Sequence, residues 1–443
     1  MGSNVAASGL ARDLRRRAEE GRPIRIGLVG CGEMGKDILS AVARMEGIVV
    51  AAVADLDPGE AREGARLAHG DADCCGEARS GADLDALIER GRIAIAPDPD
   101  AVAACGRVDV VVDATGVPEA GARIGLAAMA NGKHLVMMNV EADVTVGAYL
   151  QAEAARHGVV YSLGAGDEPS SCMELVEFVS AMGHRVVAAG KGKNNPLNVD
   201  ACPDDCRDEA TRRNMNVRML VEFVDGSKTM VEMAAIANAT GLLPDRPGMH
   251  GPAAGPQDLS RLLVPRAAGG LLSDVGRVDY SVGAGVAPGV FVVAEIDHPR
   301  IRERMADLKL GAGPYYTFLR PYHLTSLEVP LTCARAVLHG RPDMAPLPRP
   351  TAEVAALAKR NLRPGERLGK IGEDMYRGWI LTAEDANAAG AVPCGLLESA
   401  TVTTAVARGE LITRSAVRLA PGSKIAELRA LQDAALARER KNA

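Results

Sequence analysis

Apolar residues recur along this chain in short, nearly unbroken blocks. "IRIGLV" (24–29), "IVVAAVAD" (48–55), "VDVVVDAT" (108–115) and "HLVMMNV" (134–140) are such blocks. Between them lie stretches with helical spacing, at 33–45, around 58–69, at 120–132 and at 146–158. Strands buried on both faces need continuous apolar runs, and their alternation with helices is the βαβ signature of a parallel sheet. The pattern predicts an α/β, doubly wound parallel-sheet domain over residues 23–165, behind an N-terminal extension of residues 1–22.

From about residue 166 the pattern changes. "EPSSCMELVEFVSAMG" (168–183) predicts a helix with Pro169 near its start. "HRVVAAG" predicts a strand leading into a loop, "AAGKGKNNP" (188–196). "MLVEFVDGSKTMVEMAAIANATG" predicts a strand, a turn at Asp225–Gly226 and a helix, and "VGRVDYSVG" and "GVFVVAEID" predict paired strands. These make an α+β domain over 166–342. The proline-rich segment 341–350 is the expected linker to a small β-rich domain, 343–443, closed by a helix from about 422 to 438.

Composition narrows the class. Apolar residues at 47% and charged residues at 24% are ordinary for a soluble globular protein, and aromatics at 3% leave Ala, Val, Leu and Met to fill the core. A formal net charge of −6, with no basic patch interleaved with aromatics, argues against nucleic acid as a partner. No run of eighteen apolar residues marks a membrane span, and the N-terminal arginines precede no apolar signal segment. Nine irregularly spaced cysteines form no disulfide framework. A cytoplasmic, homo-oligomeric protein acting on a small molecule is expected, without membrane or nucleic-acid partners.

"RIGLVGCGEMG" (25–35) holds Gly30, Gly32 and Gly35 in G-x-G-x-x-G spacing between a strand and a helix. Such glycines let the backbone approach a pyrophosphate, and the helix N-terminus, with Glu33 and Met34, faces its charge. Asp55 lies twenty residues beyond Gly35, at the end of the second strand, where an acid binds the adenine ribose. That carboxylate leans toward NADH over NADPH, unless Arg62 and Arg66 compensate for a 2′-phosphate. Thr115 and Gly116 in "DATGVP" and Asn139 in "MMNVEAD" end later strands and are expected to border the nicotinamide.

The first domain resembles the NAD-binding half of aspartate and homoserine dehydrogenases. "VMMNVEADVTVG", "LGAGDEPSSCMELVEF", "AGKGKNNPLN", "PGMHGP" and "RPYHLTSLEVP" together resemble the DXR-like oxidoreductases, the second type of 1-deoxy-D-xylulose 5-phosphate reductoisomerase. "LRPGERL", "VPCGLL" and "ARGELITRSAV" are similar to the SAF domains of sialic-acid synthases. The resemblance implies an NADPH-dependent conversion of 1-deoxyxylulose 5-phosphate to 2-C-methylerythritol 4-phosphate in isoprenoid precursor synthesis, with a divalent cation (Mg or Mn) on carboxylates. Val140 follows Asn139 where homoserine dehydrogenases carry a lysine, which argues against plain homoserine dehydrogenase activity.

The candidate chemical groups are polar residues near glycine turns. Lys191, Lys193, Asn194 and Asn195 can meet a phosphate or carboxylate, or give a proton to a forming hydroxyl. Asp167 and Glu168 sit between a glycine turn and a helix start; with Glu141 they are the oxygen ligands on offer to a metal. Asp143 is expected to cap a helix beginning near Val144. His250, His323 and Arg320 lie in settings that suit a ligand. These residues favour an NAD(P)-dependent oxidoreductase of a small, phosphorylated hydroxy-carbonyl compound. The alternatives are a homoserine-dehydrogenase-like or sugar-acid dehydrogenase without rearrangement, and a non-catalytic dinucleotide sensor.

Overall fold

Strands Ile24–Val29 (β1), Ile48–Ala54 (β2), Cys75–Glu77 (β3), Ile93–Ala96 (β4), Val110–Asp113 (β5), His134–Met137 (β6) and Tyr161–Leu163 (β7) form one sheet in a computed structural model that describes residues 8–194, 197–283 and 285–442. Every pairing is parallel, in the order β3-β4-β2-β1-β5-β6-β7. The chain winds outward from β1 through β2, then returns to the other side of β1 at β5. The carboxyl ends of β1 and β5 are therefore the switch point where doubly wound sheets bind ligands.

Ile26, Leu28, Val53, Ile95, Val112 and Val136 fill the core with Ile38 and Leu39 from the helix Glu33–Val42. The helix Pro58–His69 has proline in its first turn, Asp57 accepting from Gly59 N–H at 2.8 Å, and Gly70 left-handed at its end. The helix Val140–His157 starts earlier than the sequence suggests. Its cap is Asn139, which accepts from Ala142 N–H at 3.2 Å. Asp143 is instead buried in the first turn and accepts from the Tyr161 hydroxyl at 2.6 Å. Burial pushes Asp143 up to about 6, against that hydrogen bond.

This sheet belongs to one of two compact units, Met1–Asp167 with Leu324–Ala345; the other is Glu168–His323 with Pro346–Ala443. Residues 324–342, expected in the second domain, and 343–345, expected in the third, pack in the first because Val329, Cys333 and Ala334 join its core. Thr332 Oγ1 also accepts from Ala165 N–H at 2.8 Å, and Met344 O from Leu163 N–H at 2.8 Å.

In the second unit Arg185–Lys193 (β8), Leu243–Pro244 (β9), Arg277–Val282 (β10), Val290–Glu295 (β11) and Tyr315–Arg320 (β12) form a mixed sheet in the order β12-β11-β8-β10-β9. β8 runs parallel to β10 and antiparallel to β11. The expected pairing of β10 with β11 is thus wrong: β8 lies between them, covered on one face by the helices Glu168–Ala181 and Ser227–Thr240. The strand expected before Asp225 is a helix, Val217–Asp225, because Asn216 accepts from Arg218 and Met219 N–H and Leu220 and Val221 bury one stripe. Gly226, left-handed at φ 85°, separates it from the next helix.

Residues 346–443 add the antiparallel strands Ala352–Ala358 (β13) and Tyr376–Thr382 (β14), the short pair Thr401–Val402 (β15) and Val417–Arg418 (β16), and the helix Lys424–Asn442. They share one unit with the mixed sheet rather than standing alone. Asn238 Oδ1 accepts from Thr351 and Ala352 N–H at 2.9 Å each, and buried Lys359 pairs with Asp225 at 2.6 Å. None of the nine cysteines is joined in a disulfide. No helix of the described residues is long and apolar enough to cross a membrane.

Candidate active site

The first unit builds a dinucleotide cradle at its switch point. Gly30 has φ +93°, and a Cβ there would lie 2.7 Å from Ala114 O; at Gly35 it would lie 2.3 Å from Gly30 O. Only glycine permits this approach of the two strand-end loops. Gly32 is the N-cap of the helix Glu33–Val42, and no described atom lies within 4 Å of its Cβ position, so the turn is open where a phosphate would rest. Glu33 and Met34 open that helix.

Asp55 is anchored from both sides. Its Oδ2 accepts from Cys31 N–H at 2.7 Å and its Oδ1 from Asp57 N–H at 2.9 Å. Asp55 and the glycine loop therefore hold one another in place. Burial, then Asp55, pushes the Cys31 thiol up to about 12, so this loop cysteine is inert as a nucleophile. Thr115 N–H and Oγ1 both bond Asp113 Oδ1, at 2.9 and 2.7 Å, and Asn139 Nδ2 donates to Asp113 Oδ2 at 3.3 Å. Buried Asp113 thus organises the loops that carry Thr115, Gly116 and Asn139, a role the sequence does not announce. Glu141 lies half-buried in the first turn of the next helix.

The second unit gathers a different set. "AAGKGKNNP" is not a loop at Lys191 and Lys193: both are residues of β8, on one face, and both are buried. The glycines serve the sheet. A Cβ at Gly190 would fall 1.6 Å from Asp279 O, and one at Gly192 2.1 Å from Ala287 N. Asn194 follows the strand and is exposed; Asn195 lies outside the described residues.

Lys191 Nζ is clamped between Glu168, at 2.7 Å, and Glu232. Glu168 opens the helix Glu168–Ala181, and Glu232 sits fully buried in the helix Ser227–Thr240. Burial opposes the charge on Lys191, but the two carboxylates outweigh it and hold the ammonium above the ordinary lysine range. His323 Nε2 lies 3.5 Å from Glu168 Oε2. Its Nδ1 meets Pro288 O at 2.5 Å; a carbonyl only accepts, so Nδ1 carries the proton.

Lys193 is in the opposite condition. Its Nζ donates to Phe223 O at 2.5 Å, leaving two further N–H donors. Burial, then repulsion from Lys191, lowers it to about 8, against the attraction of Asp225 and Glu232. A lysine poised there can both donate and accept a proton near neutral pH.

β8, its two covering helices and the segment after β12 therefore bring together Lys191, Lys193, Glu168 and His323. They add Glu232, which sequence reasoning misses; its one signal is an acid inside the apolar stretch "TMVEMAAIA". Asp167 directly precedes Glu168. Glu168 and Glu232 have oxygens at metal-ligand spacing, but those carboxylates already hold the Lys191 ammonium, which a divalent cation would have to displace. The set fits a lysine clamp better than a resident Mg or Mn ion. Arg320 bonds Ser171 and Glu174 at 3.0 Å each. His250 pairs with Asp245 at 2.8 Å, in a network with Arg277.

Residues 30–164 match the homoserine dehydrogenase NAD-binding domain, and residues 166–329 match the catalytic domain of oxidoreductase DRL. No curated protein matches the chain. Among solved structures it is similar to a probable dehydrogenase of Thermotoga maritima, with 13% identity over 72% of this chain and 90% of that one and a TM-score of 0.40. It is also similar to the scyllo-inositol dehydrogenase of Lactobacillus casei with bound NAD(H) and scyllo-inositol, with 16% identity, 61% and 73% coverage and a TM-score of 0.35. The parallel sheet with its glycine turn and the two matched domains define an NAD(P)-dependent oxidoreductase, and its cofactor is a nicotinamide dinucleotide.

Proposed function

We propose that the protein reduces a small phosphorylated hydroxy-carbonyl compound with hydride from NADH, and that Lys193 gives the proton to the forming hydroxyl. The observation that carries this reading is the contrast within the lysine pair: Lys191 fixed as a cation by Glu168 and Glu232, Lys193 buried beside it and lowered to about 8. Hydride addition to a carbonyl builds negative charge on its oxygen. Lys191 stabilises that charge without losing its own proton, and Lys193 supplies a proton at working pH. In the reverse direction neutral Lys193 takes the proton back.

Asp55 favours NADH in this reading. Its carboxylate would repel a 2′-phosphate, and Arg62 and Arg66 already neighbour Glu77 and Glu63. The C-terminal segment, read as SAF-like, supports the helix end beneath Lys193 through the Lys359–Asp225 pair.

The match to oxidoreductase DRL makes 1-deoxyxylulose 5-phosphate the first substrate to test. A second reading, plain dehydrogenation without rearrangement, is favoured by the carboxylates that hold Lys191. Purified protein is incubated with NADH or NADPH and 1-deoxyxylulose 5-phosphate, and the products are identified. Cofactor oxidation with 2-C-methylerythritol 4-phosphate supports the reductoisomerase. Oxidation with the unbranched deoxypentitol phosphate supports the simple dehydrogenase. Cofactor binding without turnover on any hydroxy-carbonyl phosphate would reject both and favour a dinucleotide sensor.

A further inference from the structure

Three side chains of the second unit that the lysine cluster does not use converge around the loop 246–251. Arg377, on β14, stacks with Cζ 4.5 Å from the Trp379 ring centroid. Its Nη1 is buried and has no hydrogen-bond partner among the described residues. A guanidinium N–H taken from water and left unpaired is a net cost that native structures rarely carry without a reason. Two carboxylates are close enough for their charge to reach Arg377, but both serve other cations. Asp225 pairs with Lys359 at 2.6 Å and Asp200 with Arg408 at 2.6 Å.

The loop holds the other two groups beside it. Gly248 packs so closely on Trp379 that a Cβ would lie 2.0 Å from the indole, and at Gly251 it would lie 2.3 Å from the Tyr280 ring. Arg246 is exposed, and its Nε donates to Met249 O at 2.9 Å. Both guanidiniums act on Tyr280: burial and Asp279 push its phenol up, and Arg246 and Arg377 oppose them. The hydroxyl stays protonated at neutral pH and is a donor. Tyr280 is in register with Lys191 on the neighbouring parallel strand, so the two share a face of the sheet about 4.8 Å apart.

We propose that Arg246, Arg377 and Tyr280 form an oxyanion subsite that takes the phosphate monoester of the substrate, one strand away from Lys191. This assignment rests on the oxidoreductase reading above and adds to it the end of the substrate that is recognised. Two planar guanidiniums and a phenol suit the three oxygens of a phosphate, and the ligand would satisfy the buried N–H of Arg377.

Trp379 is the only tryptophan of the chain, so its emission reports on Arg377. The full-length protein is titrated with inorganic phosphate at constant ionic strength, with acetate and chloride as comparators, and binding is checked by calorimetry. Wild type is expected to give a saturable response to phosphate and a weaker one to acetate. Arg377→Met and Arg246→Met should each weaken phosphate binding by about tenfold or more, as expected for a lost charge-assisted contact, with dinucleotide binding unchanged. Arg246 is exposed, so its variant tests the subsite even where Arg377→Met fails to fold. No saturable response in wild type, unchanged phosphate affinity in the Arg246 variant, or tighter binding of acetate would each overturn the assignment. The readout needs no turnover. A failed substrate assay with intact phosphate binding rejects the proposed reaction and keeps the subsite.

Discussion

Lys191 and Lys193 lie two positions apart on one face of β8, and the protein holds them in opposite states. Lys191 is clamped by Glu168 and Glu232 and stays charged; Lys193 rests on a carbonyl oxygen, lowered to about 8. One cation is permanent and the other exchangeable. Because Lys191 repels Lys193, the clamp that fixes the first also tunes the second.

Glu232→Gln tests that coupling. The variant removes one of two carboxylates from a buried ammonium, at a cost of about 1.5–3 kcal/mol for a charge-assisted contact, read as a lower Tm. It also removes an attraction that raises Lys193. The alkaline limb of the reduction rate should therefore move to lower pH. An unchanged limb with a lowered Tm would make Glu232 purely structural.

Asp55→Ala should weaken NADH by about ten- to a hundredfold, from lost ribose contacts of roughly 1.5–3 kcal/mol. NADPH should weaken less, because the repulsion of its 2′-phosphate goes with the carboxylate. Dissociation constants for both cofactors check this, and equal losses would displace the ribose from Asp55.

The dinucleotide half of this fold is legible in the sequence because its signals are local. Continuous apolar runs, the spacing of Gly30, Gly32 and Gly35, and the acid at position 55 all fall within a few dozen residues. The second half hides its logic in distant contacts. Gly190 and Gly192 look like turn residues, yet they are required by the backbones of Asp279 and Ala287, remote in sequence. "MLVEFV" is short enough to suit a strand or a helix, and Asp225–Gly226 suits a hairpin as well as a helix end; packing of Leu220 and Val221 decides for the helix. Nothing in the sequence pairs Lys191 with Glu232 or Arg377 with the loop at Gly248.

Asp143 offers a test of burial in the first unit. Its folded value of about 6 lies above the 3.8 of the unfolded chain, so its stabilising protonation is complete below 3.8 and lost as pH rises through 6. A shift of roughly two units corresponds to about 3 kcal/mol. Asp143→Asn does not titrate. The advantage of wild type over the variant in Tm should therefore shrink or reverse between pH 5 and pH 8. The same difference at both values would mean that Asp143 is ionised throughout.

The state of Lys193 itself can be measured without knowing the substrate. The protein is labelled with carbon-13 at the lysine ε position and titrated by NMR from pH 6 to 11, with Lys193→Arg and Lys191→Arg used for assignment. One buried lysine signal should titrate near pH 8 and vanish in Lys193→Arg, while the Lys191 signal stays charged beyond pH 10. If both lysines titrate above pH 10, Lys193 is an ordinary cation, and its role as the proton donor fails.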